Sequence, residues 1–148
     1  MAKLRHVAIR CDDLDWGAKF YSELFEMDFV SRVGPPGDDS QGAVYLSDGV
    51  VNVALIKVHA DFPNAKPEGI NHIGFVVEDV DAAVARAESL GAVSMMGNMT
   101  REEAALAGAT WEVKMKTPDG TVAFDISDHF WPGTGTTETA SSKVEATA

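Results

Sequence analysis

The sequence predicts an α+β fold built from two βαβββ modules, and three observations predict it. The first is an internal repeat: His6-Val7-Ala8-Ile9-Arg10-Cys11-Asp12-Asp13-Leu14-Asp15 falls without a gap on His72-Ile73-Gly74-Phe75-Val76-Val77-Glu78-Asp79-Val80-Asp81, 66 positions later. Histidine meets histidine, apolar meets apolar, and an acidic pair meets an acidic pair. The second is that a helix-like segment follows each copy, with Leu24 falling on Leu90. The third is a pair of turns, Ser47-Asp48-Gly49 and Pro118-Asp119-Gly120, 71 positions apart, each followed by a β-rich run. Asp-Gly supplies the positive φ that a tight hairpin needs. The change of offset places five extra residues in the middle of the second half. Neither half alone has two apolar layers to close a core, so the halves must pair.

With 148 residues and a hydrophobic fraction of 45%, the chain is long enough for one well-filled domain. Residues 1–133 are expected to form it, with module one at 3–58, a linker at 59–69 and module two at 70–130. Twelve basic residues against 23 acidic ones give a net charge of −11, which argues against nucleic acid and anionic membranes as partners. The single cysteine, Cys11, excludes an internal disulfide framework and fits a reducing compartment. With no leader-like or membrane-length apolar run, a cytoplasmic location is expected.

Residues 4–11 alternate as a strand, Leu4, His6, Ala8 and Arg10 on one face and Arg5, Val7, Ile9 and Cys11 on the other. Asp12 or Asp13 supplies an N-cap carboxylate. Trp16, Phe20, Tyr21, Leu24 and Phe25 recur at helical spacing, the apolar face of an amphipathic helix. A short strand at 27–33 leads into a Gly/Pro loop at 34–42. Its glycine spacing is that of a phosphate loop, but Ala43 stands where the lysine is required, so that reading is discarded. Strands at 43–46 and 50–58 form the first hairpin. The second half repeats the plan: a strand at 70–77, a cap at Asp79 or Asp81, a helix at 82–90 ended by Gly91, and a short strand at 93–96. A loop at 97–109 with a helical turn at 101–106 leads to the second hairpin, 111–116 and 121–127. The Thr, Ser and Ala residues of 134–148 carry no apolar periodicity, so a disordered tail is expected, removable without loss of stability.

Alternation puts His6 and His72 at matching places on matching strands. Asp125, with Ala123 and Ser127, lies opposite Val122, Phe124 and Ile126, and a mid-strand carboxylate of that kind is costly unless paired or metal-bound. A lone histidine on a strand is commonly a hydrogen-bonded structural residue. Two at corresponding positions, with one carboxylate, make the two-His-one-carboxylate set that binds iron(II) and similar ions with positions left open. The metal ligands expected are therefore His6, His72 and Asp125. In the first half, the position of Asp125 is taken by Ala54, which cannot ligate. Around this set, His129 is a candidate proton donor, four residues after Asp125 and on its face if the strand continues. Asn52, sharing a face with Ala54, is a candidate substrate contact. Tyr45, Phe62, Trp111 and Trp131 are candidate pocket walls. Glu112 and Lys114 read as a solvated charge pair, and His59 as an exposed residue.

Arg5-His6-Val7-Ala8-Ile9, Lys19-Phe20-Tyr21 with Leu24-Phe25-Glu26-Met27, Asn71-His72-Ile73-Gly74-Phe75 and Pro118-Asp119-Gly120, in this order and spacing, resemble the vicinal oxygen chelate superfamily of glyoxalases, extradiol dioxygenases, fosfomycin-resistance transferases, methylmalonyl-CoA epimerases and bleomycin-resistance proteins. The resemblance spans residues 4–127. It implies two βαβββ modules forming an incomplete barrel around a divalent metal, with ligands on the first and last strands of each module. Asp125 stands where Glu is more usual, and Ala54 leaves three ligands, as in the dioxygenases and fosfomycin transferases. The function it implies is a metal-dependent enzyme for a small substrate chelated through vicinal oxygens. Dioxygenase chemistry with C–C cleavage comes first, then a glyoxalase-like lyase or isomerase, then thiol transfer, with a metal-free bleomycin-type binder as the non-enzymatic alternative. Fe2+ is the expected ion, with Mn2+, Ni2+ or Zn2+ as substitutes, and a homodimer is the expected assembly.

Overall fold

The computed structural model describes residues 1–34, 41–59, 61 and 69–135. Among these the chain forms β1 (Lys3–Arg10), α1 (Leu14–Phe25), β2 (Asp28–Val33), β3 (Gly42–Ser47), β4 (Asn52–Lys57), β5 (Ile70–Val76), α2 (Val80–Ser89), β6 (Val93–Ser94), α3 (Arg101–Leu106), β7 (Glu112–Lys116) and β8 (Ala123–Ser127). This is the expected α+β plan of two βαβββ modules, the second carrying α3 as its insertion. Phe62 and most of the linker lie outside the described residues, as does most of the 34–42 loop.

The chain falls into two compact units, one of residues Arg5–Asn71 with Trp131 onward, the other of Met1–Leu4 with His72–Phe130. In the first unit the strand order is β2-β3-β4-β1, with β1 parallel to β4 and the other neighbours antiparallel. Its core is Leu14, Val44, Leu46 and Leu55, with Ile9, Tyr21, Met27 and Val53 packed against it. Helix α1 begins where the Asp13 carboxylate accepts from Trp16 N–H at 2.9 Å. Its inner face differs from the one the aromatic spacing predicts. Leu14 and Gly17 are buried, while Trp16, Phe20, Leu24 and Phe25 are exposed. The reason is closeness of approach: a Cβ at Gly17 would stand 2.6 Å from Cys11 Sγ and 2.9 Å from a Leu55 methyl. The glycine side is the one side of the helix that can come that near the sheet.

The second unit repeats the arrangement as β5-β8-β7-β6, with β5 parallel to β8. Val80, Met115 and Ile126 form its core. Asp79 caps α2 through Ala82 N–H at 2.9 Å, the counterpart of Asp13. Thr100 and Glu103 cap α3 reciprocally. Both Asp-Gly turns are present: Asp48 accepts from Val50 and Val51 N–H, and Asp119 from Thr121 N–H.

The strand registers give the two halves one correspondence. His6 lies opposite Asn52 and Ala8 opposite Ala54 in β1/β4, while Gly74 lies opposite Asp125 in β5/β8. Ala54 is thus the structural counterpart of Asp125, as the hairpin offset predicts.

The expected disordered tail begins too early at 134. Thr134 is fully buried, its hydroxyl donates to Trp131 O, and Ser47 Oγ donates to Gly133 O at 2.8 Å. Composition misled there, because the segment is held by backbone carbonyls and one tryptophan rather than by an apolar stripe. Residues 136–148 lie outside the described residues.

Candidate metal centre

In the first unit His6 sits mid-strand in β1 and is 4% exposed. Its Nδ1 is 2.7 Å from Asn52 Oδ1 on the neighbouring strand, and its ring stacks on Trp131 at 4.8 Å with planes 4° apart. Asn52 donates its amide N–H to Pro132 O at 2.9 Å. That bond fixes which end of the amide faces the imidazole. An amide oxygen only accepts, so His6 donates from Nδ1. This is the kind of supporting bond that metal-ligating histidines make through the nitrogen that does not ligate.

Asn52 is therefore placed otherwise than expected. It is fully buried with both ends of its amide engaged, Oδ1 by His6 and the N–H by Pro132 O. Trp131 lies flat against the imidazole. Tyr45 pairs with Ala54 across β3/β4.

In the second unit His72 Nε2 lies 3.2 Å from Asp125 Oδ2. That distance is a hydrogen bond, and it also matches the separation of about 3.0–3.4 Å between two ligands each about 2.1 Å from one ion. Asp125 is 1% exposed. Burial pushes its carboxyl up, but the hydrogen bond with His72 and the charge of Lys114 outweigh burial and hold it below the ordinary range. The donor atoms are of the kind that hold a divalent ion.

Lys114 is the residue that the sequence reading misplaced. Its Nζ is 3.0 and 2.9 Å from the two Asp125 oxygens and 3.3 Å from Glu112 Oε1. Its side chain is 27% exposed and that of Glu112 30%, so the pair is mostly buried rather than solvated. Burial alone would lower the Lys114 ammonium; Asp125 and Glu112 together raise it above its usual value. Glu112 is pushed above the ordinary carboxylate range by burial, which the neighbouring Lys114 charge only partly offsets. A signal for this existed in the sequence. Counting outward from the Pro118-Asp119-Gly120 turn sets Lys114 directly opposite Asp125, as β7/β8 show.

His129 does not take the place expected of it. β8 ends at Ser127, so alternation does not carry His129 onto the Asp125 face; it is exposed and pairs with Asp128. It lines an open pocket of about 310 Å³ with Arg101, Ala104, Gly108 and Trp111. Trp111 is held there by its N–H to Met99 O and by the Arg101 guanidinium 4.0 Å over its ring. His59 is exposed, as expected.

The sequence matches the Glyoxalase/Bleomycin resistance protein/Dioxygenase superfamily over residues 3–123. A search of curated proteins finds no match. Among solved structures, a hypothetical protein from Bacillus halodurans is similar with a TM-score of 0.63 at 15% identity, over 84% of this chain and 92% of that one. A variant methylmalonyl-CoA epimerase of Streptomyces coelicolor, in complex with 2-nitronate-propionyl-CoA, is similar with a TM-score of 0.61 at 18% identity, over 86% and 98% of the two chains. The Mycobacterium tuberculosis methylmalonyl-CoA epimerase is similar with a TM-score of 0.59 at 22% identity, over 83% and 85%. At these identities the likeness is one of fold. No helix among the described residues is long and apolar enough to cross a membrane.

Proposed function

The chain belongs to the glyoxalase/bleomycin resistance protein/dioxygenase superfamily, and from that premise we propose that it is a metal-dependent enzyme for a small substrate bearing vicinal oxygens, its ion held by His6, His72 and Asp125. The observation that carries this reading is the His72–Asp125 pair at ligand spacing on adjacent strands. The bond that Asn52 accepts from His6 Nδ1 supports it.

The reaction we favour is proton transfer next to a carbonyl, of the isomerase or glyoxalase-like lyase kind. Glu112 is the reason. It is a half-buried carboxylate on the strand beside Asp125, and a carboxylate can take a proton from carbon and give it back. A divalent ion supplies stabilisation of negative charge on the carbonyl oxygen. Glu112 would accept the proton from the carbon next to the carbonyl, the C–H electron pair forming a C=C bond as the C=O π pair moves onto the carbonyl oxygen. Return of that proton to the former carbonyl carbon, as the hydroxyl proton passes to the neighbouring oxygen and a C=O bond re-forms at the first carbon, completes an isomerisation. Fold likeness to the epimerases agrees with this choice. One observation favours oxygen activation as the second reading: Ala54 stands in the position of Asp125 and leaves the set at three ligands.

The test has two arms. His6→Ala and His72→Ala are each expected to weaken metal binding by more than about 100-fold, a loss beyond that of a supporting residue, read by elemental analysis after dialysis. Parent protein is expected to exchange the hydrogen alpha to a carbonyl with deuterium from solvent, across a panel of 2-substituted thioesters and hydroxyketones, without oxygen uptake. Oxygen uptake on a catechol panel would transfer the assignment to the second reading. Ala54→Glu separates the two further. An added anionic donor fills a position that an oxygen-activating centre needs open, whereas a proton-transfer enzyme keeps turning over.

A further inference from the structure

We propose that Lys114 is a built-in competitor for the metal: its ammonium and a divalent ion contend for the Asp125 carboxylate, and Glu112 receives the ammonium when the ion prevails. This rests on the ligand set proposed above and concerns what tunes its affinity.

The geometry is specific. Lys114 lies directly opposite Asp125 across β7/β8 and reaches both of its oxygens, at 3.0 and 2.9 Å. One of those, Oδ2, is also the oxygen 3.2 Å from His72 Nε2. An ion seated between His72 and that oxygen would meet a positive charge bonded to the same atom, in a place where both side chains are largely out of water. Two cations cannot share the oxygen at no cost, so each weakens the hold of the other.

The ammonium has somewhere to go. Glu112 is two residues back on the same face of β7, its Oε1 already 3.3 Å from Lys114 Nζ. The backbone at Lys114 is held still, since Asn98 accepts from Lys114 N–H at 2.8 Å and donates to Lys114 O at 2.9 Å. The shift is therefore a swing of the four-carbon stem between two carboxylates, with no movement of the strand. Glu112 thus bears on metal binding through Lys114, beside the direct effect of its own charge near Asp125 and His72.

The test is a competition titration with Co2+ or Zn2+ against a chelating dye, using parent protein, Lys114→Met, Glu112→Gln and the double variant, all stripped of metal beforehand. Lys114→Met is expected to tighten binding by about tenfold or more, the scale on which groups supporting a ligand act. Glu112→Gln is expected to weaken it several-fold, and the same change made on Lys114→Met to weaken it by clearly less. That non-additivity separates competition from a general structural effect. Lys114→Gln, which keeps hydrogen bonds to Asp125 without the charge, carries the same measurement should the methionine variant fail to fold. Unchanged or weaker binding in the Lys114 variants overturns the inference while leaving the metal centre standing. Should neither parent nor any variant bind either ion, the metal centre falls and the inference with it.

Discussion

Asp125→Ala is expected to remove the bound divalent ion and to cost about 3 kcal/mol of stability in the metal-stripped protein. The carboxylate is 1% exposed and bears on both His72 and Lys114. Removing it takes one ligand of three from the proposed centre and leaves a mostly buried ammonium with Glu112 as its remaining carboxylate. Breaking a buried pair by deleting one partner costs about 3–5 kcal/mol, and the surviving Glu112 contact argues for the lower end. Equilibrium urea unfolding measures the stability, and elemental analysis the metal. Adding Lys114→Met should recover part of the stability and none of the metal. A stable Asp125→Ala protein with a full equivalent of ion would sink the ligand assignment.

Trp131→Ala is expected to destabilise the protein by about 3 kcal/mol, at the lower end for a buried aromatic cut back to alanine. The indole is 9% exposed and covers His6 face to face. Ending the chain after Phe130 should cost more still. It also removes Pro132 O, which accepts from Asn52, and Gly133 O, which accepts from Ser47. Each donor left buried without an acceptor adds about 1–3 kcal/mol. Metal affinity should fall together with stability, because Asn52 then loses the bond that turns its oxygen toward His6. Urea midpoints for the two proteins and the parent decide this. Midpoints within error of one another would mean that the segment after β8 does not hold the first unit together.

Much of this was legible in the sequence because it depends on neighbours along the chain. The offset of 66 aligns Asp13 with Asp79, and both are the N-caps observed. The offset of 71 aligns Ala54 with Asp125, and the strand registers agree. What was missed depends on contacts that spacing does not encode. Helical periodicity marked Trp16, Phe20, Leu24 and Phe25 as a face but could not tell that Gly17 allows the closer approach. Alternation placed Asn52 beside Ala54 without revealing that the parallel β1/β4 pairing sets it against His6. His129 depended on a strand that stops at Ser127. Lys114 differs from these, since its partner followed from the turn by counting; the charge pair was read along one strand instead of across two.

The flat stack of Trp131 on His6 has an optical consequence. An indole in face contact with an imidazole loses fluorescence when the imidazole gains positive charge, so the emission of Trp131 follows the electronic state of one histidine. Trp16 lies exposed against Phe20, and Trp111 lies under Arg101. With phenylalanine at both of those positions, Trp131 is the single tryptophan left, and its emission reports charge at His6 in the unlabelled protein.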